Sequence, residues 1–546
     1  MELPSWPIAL QNASNTRPKP DCKLSYGTAG FRSKANLLQS TVFRCGVLMA
    51  LRSLQTSKVT GICITASHNP APDNGVKLVD PTGEMLSQQY EAVADEMANA
   101  ETSDALVAIV KKFIEAQGID MGKAEQGKVL LAFDTRPSGG PLAEDAAAGI
   151  SSLGVSVEIL GTLTTPQLHW AVMRRNQGLA SSEDAYYEHI SSAFGRLWQA
   201  PESRVRKLHV DCANGVGALK LEKLKPHVAQ LGLELCLHNT GDGILNSKCG
   251  SDFVQKEKTL PEAMDHIDSD EAACAVDGDA DRLVYFYPCG REAPGVRDAG
   301  GDGMGDSRSV VLLDGDKIAA LVAGLFKDLV VALPGDLSKA SIGVVQTAYA
   351  NGSSTAYLTQ KLQCEVVVTP TGVKHLHKAA HQFDIGIYFE ANGHGTVLFR
   401  GSFLDALRDV RDSSAATEIL ALNDLINEAV GDAISDILLV EVALVRRGIN
   451  LAQWHAIYED LPSKQLACPV QDRFAIVTED AERRVAQPKE LQQAIDELIA
   501  QYPGSRSFVR PSGTEDIVRI YAEAPDAMQT DELANGVRKV VLDLLA

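Results

Sequence analysis

The sequence predicts an α/β protein of several domains, with an α+β domain at its C-terminal end. Short apolar segments that read as strands alternate with amphipathic helices along most of the chain, which is typical of α/β domains. The chain has 546 residues, and at ~150 residues per domain this length indicates three or four hydrophobic cores. No internal repeat is visible in the sequence.

Composition and charge exclude several classes of function. The formal net charge is -20, which argues against broad binding of nucleic acids or anionic membranes, because both need a basic face. An anionic small substrate would therefore need locally placed positive charge. No apolar run approaches ~18 residues, so we expect no membrane span. The ten cysteines are scattered without a CxxC pair, and no signal peptide is visible, so we expect free thiols and a cytoplasmic location.

Two polar turns distinguish the first part of the chain. YGTAGFR ends at Arg32, and its two glycines predict a backbone turn whose amides face an anion. The apolar stretch 61–65 predicts a buried strand, and Ser67 and His68 follow it in the turn TASHNP. A hydroxyl just past the carboxyl end of a strand lies at the rim of the sheet, where open α/β sheets bind ligands. Taken alone, an ordinary Ser-rich turn is the alternative interpretation.

DNGVK follows at 73–77, and strand 129–133 ends in DTRPSG. The next segments in order are a polar helix around 183–197 and strands at 208–211 and 272–276.

Three aspartates follow the strand predicted at 272–276. Asp277, Asp279 and Asp281 occupy alternate positions in DGDADR, and an extended backbone would turn all three carboxylates to one side. Three carboxylate oxygens suit Mg²⁺. An EF-hand is excluded because Arg282 replaces the glycine at position six and Pro288 replaces the glutamate at position twelve. A plain acidic turn remains the alternative. The Gly- and Asp-rich segment 291–307 predicts a surface loop.

Strand 310–313 is predicted to open a third unit, in which strands alternate with helices. Its first helix carries one apolar face, made of Ile318, Leu321, Val322, Leu325 and Phe326. Strands are predicted at 342–345, 366–369 and 385–389, and EANGHGT follows the last of them. In that loop Glu390 can accept from two vicinal hydroxyls, and its glycines allow close approach of a ligand. A tight turn with a solvated glutamate is the alternative.

The last part of the chain begins after a mostly helical connector at 415–441. Strand 506–509 leads into RPSGTED, in which Arg510 can bind a phosphate bidentately and Ser512, Gly513 and Thr514 can donate to it. An ordinary PSG turn is the alternative. Two helices, with apolar residues at 491–499 and 533–544, complete this part. Neither a P-loop nor a G-x-S-x-G motif is present.

Four motifs, TASHNP, DGDADR, EANGHGT and RPSGTED, in this order and spacing resemble those of the α-D-phosphohexomutase superfamily. Within it the sequence is most similar to the eukaryotic phosphoacetylglucosamine mutases, particularly the fungal ones. The resemblance covers nearly the whole chain and includes GTAGFR, DNGVK, GDGILNSKCGSDF, VVQTAYANGSS and LNDLINEAVGDAISD. Asn392 favours the acetylglucosamine branch, because glucose and mannose mutases more often carry serine there. Segment 291–307 is longer and richer in glycine than the family pattern.

The resemblance implies three similar mixed α/β domains and a smaller C-terminal α+β domain around a central cleft. We assign these domains to residues 1–182, 183–308, 309–435 and 436–546. It also implies an intramolecular phosphotransferase, an isomerase that interconverts N-acetylglucosamine 6-phosphate and 1-phosphate in UDP-N-acetylglucosamine biosynthesis. The alternatives are a phosphoglucomutase or phosphomannomutase of the same superfamily, a metal-dependent sugar phosphatase, and a catalytically silent sugar-phosphate sensor.

The resemblance further implies a role for each motif. Ser67 would be phosphorylated, and one Mg²⁺ would be held by the phosphoserine with Asp277, Asp279 and Asp281. A sugar 1,6-bisphosphate would be the intermediate and activator. Catalytic helpers and candidate proton carriers would be Arg32, His68, Lys77 and His394. Substrate contacts would come from Glu390, Asn392, Gly393, Arg510, Ser512, Gly513 and Thr514. The expected partner is a small sugar phosphate, and no nucleic acid, membrane or obligate protein partner is implied.

Overall fold

The computed structural model describes residues 5–198, 205–268, 271–289, 309–512 and 517–545. The chain divides into two compact units. The first contains Met1–Asp314 and Ala421–Val445, and the second contains Gly315–Leu420 and Arg446–Ala546. No helix in the described ranges is long and apolar enough to cross a membrane. The Gly-rich segment 291–307 and the predicted phosphate-binding residues Gly513 and Thr514 lie outside the described residues.

The first sheet of the first unit has β2 at its centre. Its strands are β1 (Phe31–Lys34), β2 (Thr60–Ile64), β3 (Asp73–Val79), β4 (Lys128–Phe133) and β5 (Ser156–Thr162). Its helices are α1 (Trp6–Asn15), α2 (Gln39–Thr56), α3 (Glu91–Ala98), α4 (Ser103–Gln117), α5 (Gly139–Ser151) and α6 (Thr165–Asn176), with 3₁₀ turns at Ala35–Leu37, Gln88–Tyr90 and Met121–Gln126. In the order β1-β3-β2-β4-β5, β2, β4 and β5 pair in parallel, whereas β3 pairs antiparallel with β1 and β2. All five residues of β2 are buried, as its apolar sequence predicts.

In this sheet DNGVK is a strand, and YGTAGFR differs from the sequence-based expectation. DNGVK, which has the composition of a turn, forms the first five residues of β3 because it pairs with β1 on one side and β2 on the other. YGTAGFR does turn, but the amides of Gly27 and Gly30 donate to each other's carbonyl oxygens at 3.1 Å. These two amides are therefore committed to the turn and do not face an anion, and Arg32 lies in β1.

The second sheet of the first unit repeats this mixed pattern. Its strands are β6 (Arg206–Asp211), β7 (Leu233–His238), β8 (Ala272–Val276), β9 (Leu283–Pro288) and β10 (Val310–Leu313), and its helices are α7 (Glu183–Leu197), α8 (Val216–Ala229) and α9 (Ser251–Glu257). In the order β10-β9-β8-β6-β7, β7, β6 and β8 pair in parallel and β9 pairs antiparallel with β8 and β10. The expectation that strand 310–313 opens a third unit is therefore wrong, because its four residues form a ladder with β9 and complete the second sheet.

The second unit begins with helix α10 (Gly315–Val331). The sheet beside it contains β11 (Ile342–Thr347), β12 (Glu365–Thr369), β13 (Ile385–Phe389) and β14 (Gly395–Phe399), with helices α11 (Gly352–Ala356), α12 (Val373–Ala380) and α13 (Gly401–Asp409), a 3₁₀ turn at Gly335–Lys339 and a π-helical turn at Tyr357–Lys361. The order β12-β11-β13-β14 again combines parallel pairs with one antiparallel pair. The predicted apolar face of α10 is buried throughout, at Ile318, Leu321, Val322, Leu325 and Phe326.

The connector is helical, as predicted, but it is interrupted once. It consists of α14 (Ser414–Leu425) and α15 (Ala433–Arg447). Within the first unit, Glu441 of α15 is fully buried and accepts hydrogen bonds from Arg206 at 2.7 Å and from the Tyr285 hydroxyl at 3.3 Å. These bonds attach α15 to strands β6 and β9 of the second sheet.

The C-terminal part of the second unit is an α+β fold. Its elements are α16 (Leu451–His455), β15 (Ser463–Pro469), β16 (Val477–Glu479), β17 (Arg484–Gln487), α17 (Lys489–Ile499), β18 (Arg506–Pro511), β19 (Ile517–Glu523) and α18 (Ala527–Leu545), with a 3₁₀ turn at Arg473–Ala475. Strands β15, β19 and β18 form an antiparallel sheet, and β16 and β17 form a separate hairpin. Helices α17 and α18 share one core, which includes Leu491, Ile495, Leu533 and Val537, as their apolar faces predict.

Candidate active site

Ser67 lies just past the carboxyl end of β2, buried and in a left-handed backbone conformation with φ 51°. Its amide donates to the Thr65 hydroxyl oxygen at 3.0 Å. Its own hydroxyl donates to Oδ2 of Asp277 at 2.5 Å, although 210 residues separate the two in the chain. The structure therefore brings the serine turn and the aspartate loop together, as the resemblance implies.

Two residues to which the sequence assigned no role, in DTRPSG and in GDGILNSKCGSDF, hold the serine turn. Arg136 Nη2 donates to the carbonyl oxygens of Ser67 and Asn69 at 3.1 and 2.7 Å. Asn246 Nδ2 donates to the same two oxygens at 2.9 and 3.1 Å. The turn is thus held by one side chain that follows β4 of the first sheet and by another that follows β7 of the second sheet. Arg136 follows β4, the parallel neighbour of β2. This position just past the end of a strand is the feature of the sequence that could have identified Arg136 as a site residue.

Arg136 forms a buried ion pair with Asp134. Its guanidinium contacts Asp134, and the side chains of both residues are fully buried. Asp134 also accepts from the Thr65 hydroxyl at 2.7 Å and from the Arg136 amide at 2.9 Å. Burial raises the pKa of Asp134, and the charge of Arg136 opposes that rise. The pair fixes the end of β4 relative to the turn that carries Ser67.

Gly278 lets the serine turn and the aspartate loop approach each other closely. A Cβ atom at this position would lie 2.6 Å from the carbonyl oxygen of Ser67, which is closer than real Cβ atoms come to an oxygen. Only glycine therefore fits between Asp277 and Asp279 without moving the serine turn.

The three predicted aspartates converge by a turn and not by an extended backbone. The Ala280 amide donates to the Asp277 carbonyl oxygen at 3.1 Å, and Ala280 has φ 56°. One carboxylate oxygen from each of Asp277, Asp279 and Asp281 lies within 4.8 Å of the other two, and all three residues are buried. The convergence was predicted correctly, whereas the backbone geometry that produces it was not.

Lys77 and Thr165 partly compensate the charge of this aspartate cluster. Lys77 Nζ donates to Oδ2 of Asp279 and to Oδ2 of Asp281, both at 2.7 Å, and the Thr165 hydroxyl donates to Asp279 at 2.6 Å. Burial alone would lower the pKa of Lys77, but the two carboxylates raise it above its ordinary value. Thr165 begins α6 and is a further contact that the sequence analysis missed.

The pKa values of the carboxyls reflect their crowding. Burial and the charges of Asp281 and Asp279 raise the pKa of Asp277 well above its ordinary value. Burial and the charge of Asp281 would also raise the pKa of Asp279. The ion pair with Lys77 and the hydrogen bond from Thr165 outweigh these two effects, so the pKa of Asp279 is lowered. The charge of Lys77 therefore helps to keep Asp279 ionised.

The donor set of the aspartate cluster fits a hard divalent cation. All of its ligand atoms are carboxylate oxygens, as Mg²⁺ prefers. Asp279 Oδ1 is buried and has no hydrogen-bond partner among the described residues. An unpaired, desolvated carboxylate oxygen is costly unless a cation or a water satisfies it. The residues present are therefore compatible with a bound magnesium ion.

The predicted helpers Arg32 and His68 lie in the electrostatic field of Arg282, a neighbour of the aspartate cluster. Arg282 Nε is 3.9 Å from Asp277 Oδ2 and from Asp281 Oδ1. Burial, followed by the charge of Arg282, lowers the pKa of Arg32. Burial, Arg282 and Arg32 lower the pKa of His68 to about 2. His68 is therefore neutral at pH 7.

In the second unit, the predicted sugar loop is the tip of the hairpin formed by β13 and β14. The amide of Gly393, which has φ 84°, donates to the Glu390 carbonyl oxygen at 2.7 Å. Asn392 Oδ1 accepts from the His394 amide at 2.9 Å, so only its NH₂ group remains to donate to a ligand. The Glu390 carboxylate receives no hydrogen bond from the described part of the chain. It is the acceptor that this loop offers.

The predicted phosphate loop is described as far as Ser512. The Nε of Arg510 donates to the Tyr349 hydroxyl at 3.0 Å, and its Nη1 lies 3.4 Å from Glu482 Oε1. Burial alone would lower the pKa of Arg510, but Tyr349 and Glu482 raise it. The other oxygen of Glu482 accepts from the Thr371 amide and hydroxyl at 2.8 and 2.6 Å. Tyr349, Thr371 and Glu482 thus hold this arginine in position. Tyr349 lies in the segment VVQTAYANGSS, whereas no motif in the sequence marked Thr371 or Glu482.

Family models match four successive parts of the chain. The model "Phosphoglucomutase/phosphomannomutase, alpha/beta/alpha domain I" matches residues 45–105 and 96–182. "Phosphoacetylglucosamine mutase AMG1, domain II" matches 178–284, and domain III of the same family matches 314–449. "Phosphoglucomutase/phosphomannomutase, C-terminal domain" matches 467–540. These matches support a fold of four domains.

Known proteins resemble the chain over nearly its whole length. A phosphoacetylglucosamine mutase from Arabidopsis thaliana is 47% identical over 563 residues, which cover 98% of each chain. The structure of Aspergillus fumigatus N-acetylphosphoglucosamine mutase in complex with GlcNAc-6P and magnesium is 40% identical, with a TM-score of 0.90 and coverage of 99% of each chain. A serine-to-alanine variant of the same enzyme in complex with glucose 1,6-bisphosphate has a TM-score of 0.89 over 99% of each chain.

Proposed function

Because the chain belongs to the phosphoacetylglucosamine mutase family of the phosphohexomutases, we propose that it interconverts N-acetylglucosamine 6-phosphate and N-acetylglucosamine 1-phosphate. The enzyme is an isomerase that acts by intramolecular phosphoryl transfer, and this reaction belongs to the biosynthesis of UDP-N-acetylglucosamine. We assign Ser67 as the phosphoryl carrier. Its buried hydroxyl supports this assignment, because it lies 2.5 Å from Oδ2 of Asp277, one of the three clustered aspartates.

The reaction takes place in two transfers with Ser67 as the relay. A sugar hydroxyl oxygen attacks the phosphorus of phosphorylated Ser67, and the bond from phosphorus to Ser67 Oγ breaks. The proton of the sugar hydroxyl passes to a proton carrier of the site, and the released Ser67 Oγ takes up a proton. The product is a 1,6-bisphosphate. The Ser67 hydroxyl then loses its proton and attacks the other phosphate of the bisphosphate. The sugar oxygen released from that phosphate takes up a proton. The phosphoryl group on the enzyme is regained, so the net reaction is an isomerisation.

Charge balance explains why the cluster needs a cation. A phosphoserine among three carboxylates repels them, and two unit charges ~4 Å apart at an effective dielectric constant of ~20 repel by ~4 kcal/mol. One Mg²⁺, held by Asp277, Asp279, Asp281 and the phosphoserine, would neutralise this charge during transfer. Lys77, Arg282 and Arg32 supply further positive charge from the protein.

We assign the remaining contacts to the sugar and to the phosphate that is not transferred. Glu390, Asn392 and Gly393 bind sugar hydroxyls, and this assignment is supported by the Glu390 carboxylate, which accepts no hydrogen bond from the residues that the structure describes. Arg510 and Ser512, with Gly513 and Thr514 beyond the described residues, bind the phosphate. His68, Lys77 and His394 are the candidate proton carriers.

A cytoplasmic location is the final part of the proposal. All ten cysteines are free thiols, which supports a reducing compartment. The only partner that the reaction requires is a small sugar phosphate, and we propose no obligate protein partner.

The test of the function is Ser67→Ala, compared with Ser156→Ala, an exposed serine on β5 of the same sheet. We expect Ser67→Ala to abolish mutase turnover and to lose the mass of one phosphoryl group in intact-mass spectrometry, because the relay oxygen is gone. Ser156→Ala should behave as the wild type. Turnover by Ser67→Ala at the wild-type rate would contradict the proposal. A free-phosphate assay on the wild type separates the mutase from a sugar phosphatase, which would release phosphate as fast as substrate disappears.

A further inference from the structure

Three histidines form a second cluster in the first unit, on one face of the second sheet. His209 lies in β6 and His238 is the last residue of β7. The two strands pair in parallel, with His209 opposite Cys236 and Asp211 opposite His238. Residues two apart on a strand share a face, so the side chains of His209 and His238 lie on the same side of the sheet.

The segment that covers this face contributes the third histidine. His209 is also opposite Ala273 of β8. Ala273 packs in one hydrophobic cluster with Met264 and Ile267. His266 stands between these two residues in the chain, and the packing of its neighbours carries it to the edge of the same face.

The three rings are close enough to share one ligand. One ring nitrogen from each histidine lies within 4.8 Å of the other two. His209 Nδ1 and His238 Nε2 are 2.8 Å apart. Two ring nitrogens at this distance hold one proton between them, so at least one presents a lone pair to the other. A cation can occupy this position in place of the shared proton.

A carboxylate lies beside the second nitrogen of the buried ring. His209 Nε2 lies 3.5 Å from Glu271 Oε1. A carboxylate on the second nitrogen of a metal-binding histidine fixes its orientation and raises its basicity, and this arrangement is common at zinc sites. Lys207 donates to the same Glu271 oxygen at 3.0 Å. The glutamate thereby offsets the charge of Lys207, which would otherwise oppose a bound cation.

We propose that His209, His238 and His266 bind one divalent transition-metal ion, with Zn²⁺ as the first candidate. Imidazole nitrogens suit Zn²⁺, Cu²⁺ and Ni²⁺, whereas the oxygen-only aspartate cluster suits Mg²⁺. Zinc–nitrogen bonds of ~2.0–2.1 Å place tetrahedral donors about 3.3 Å apart, which small ring rotations can reach. His209 is buried and His266 is exposed, so the ion enters from the His266 side. Once bound, it ties β6 and β7 to the segment that precedes β8.

The test is metal binding by the full-length chain in saturating Mg²⁺, which occupies the aspartate cluster. Titration with Zn²⁺ by calorimetry, and with Co²⁺ by its visible absorption, should reveal one binding equivalent that Mg²⁺ does not displace. His266→Ala and His238→Ala should each weaken that binding by at least about tenfold and remove the absorption of nitrogen-ligated Co²⁺. Because His266 is exposed, its replacement does not disturb the core, and this variant decides the result if His238→Ala fails to fold.

Three control variants separate the site from its surroundings. His227→Ala alters a histidine of α8 that is outside the cluster and stacks on Tyr187, and it should bind Zn²⁺ as the wild type does. Asp279→Asn should also keep the histidine-dependent equivalent, because it changes only the aspartate cluster. Glu271→Gln should weaken Zn²⁺ binding by roughly 10- to 100-fold. Absence of the Mg²⁺-resistant equivalent in the wild type, or wild-type affinity in both His266→Ala and His238→Ala, would overturn the proposal.

Discussion

At the scale of single residues, the site depends on how the Ser67 turn is held. A left-handed conformation is uncommon for a serine and costs free energy, on the order of 1 kcal/mol or more. Four hydrogen bonds from Arg136 and Asn246 to the carbonyl oxygens of Ser67 and Asn69 offset this cost. They also fix the direction in which the hydroxyl points.

We expect Asn246→Ala to lower kcat by about tenfold or more, because a small displacement of a reacting atom is costly. It removes two of the four bonds on the turn, so the free energy of unfolding should fall by about 1–2 kcal/mol. The measurements are steady-state kinetics and chemical denaturation.

The matched control is Asn239→Ala. Asn239 also donates two hydrogen bonds, to Asp211 and to the Glu262 carbonyl oxygen, but neither reaches the Ser67 turn. It should lose similar stability and keep its kcat. Equal loss of kcat in the two variants would show that the hydrogen bonds from Asn246 to the Ser67 turn have no specific role in catalysis.

Asp279→Asn should weaken Mg²⁺ binding on the order of tenfold and slow the reaction in parallel. The amide oxygen can still accept from Lys77 and Thr165, but the NH₂ group then faces the position of the orphaned Oδ1 and repels a cation. Calorimetric titration with Mg²⁺ measures the affinity independently of activity.

Asp252→Asn is the control for this substitution, because Asp252 lies in α9 and pairs with Lys256 one helical turn away. It should leave Mg²⁺ affinity unchanged. Full activity of the wild type after treatment with EDTA would show that the assignment of the metal is wrong.

At the scale of elements, the hairpin of β16 and β17 positions the arginine of the predicted phosphate loop. Its tip, Asp480, Ala481 and Glu482, has three consecutive positive φ angles, of 52°, 53° and 67°. This turn carries Glu482 to Thr371 and Arg510. An element without a functional motif thus supplies the support for one that has it.

Arg510→Ala should raise KM for both sugar phosphates by roughly 30- to 150-fold, which corresponds to the ~2–3 kcal/mol of a charge-assisted hydrogen bond. The phosphorylation of Ser67, read by intact mass, should not change, because Arg510 belongs to the second unit and Ser67 to the first. Arg484→Ala in the same hairpin is the control. Its partner Asp496 is half exposed, and its KM should match the wild type. An unchanged KM in Arg510→Ala would exclude this loop as the phosphate clamp.

At the scale of the whole molecule, the division into two compact units has a thermodynamic consequence. The aspartate cluster lies in the first unit, where Lys77 pairs with Asp279 and Asp281, and Arg282 lies 3.9 Å from Asp277 and Asp281. A cation that binds only the folded first unit stabilises that unit by about 2.7 kcal/mol at 100 times its dissociation constant. The second unit contains none of these three aspartates.

We therefore expect two transitions in differential scanning calorimetry, and Mg²⁺ should raise the midpoint of one of them by a few degrees. EDTA should reverse the shift, and Asp279→Asn should diminish it. A single transition, or equal shifts of both, would contradict the independence of the two units.

The sequence by itself determined many of the helices and strands and indicated which loops hold the candidate site residues. The buried strand before Ser67, the strand before Asp277 and the apolar face of α10 were predicted because local periodicity and composition encode them. Likewise, the four motifs were recognisable because each is contiguous in the chain. In these cases the signal lies within a dozen residues.

The tertiary structure decided everything that depends on pairing between distant segments. DNGVK is a strand only because β1 and β2 flank it, and strand 310–313 joins the second sheet only through its ladder with β9. The hydrogen bond from Asn246 to Ser67 joins residues that are 179 positions apart in the chain, and the hydrogen bond from Thr371 to Glu482 joins residues that are 111 positions apart. Such contacts form because burial and hydrogen bonding outweigh local preference, and no pattern within one segment records its partner.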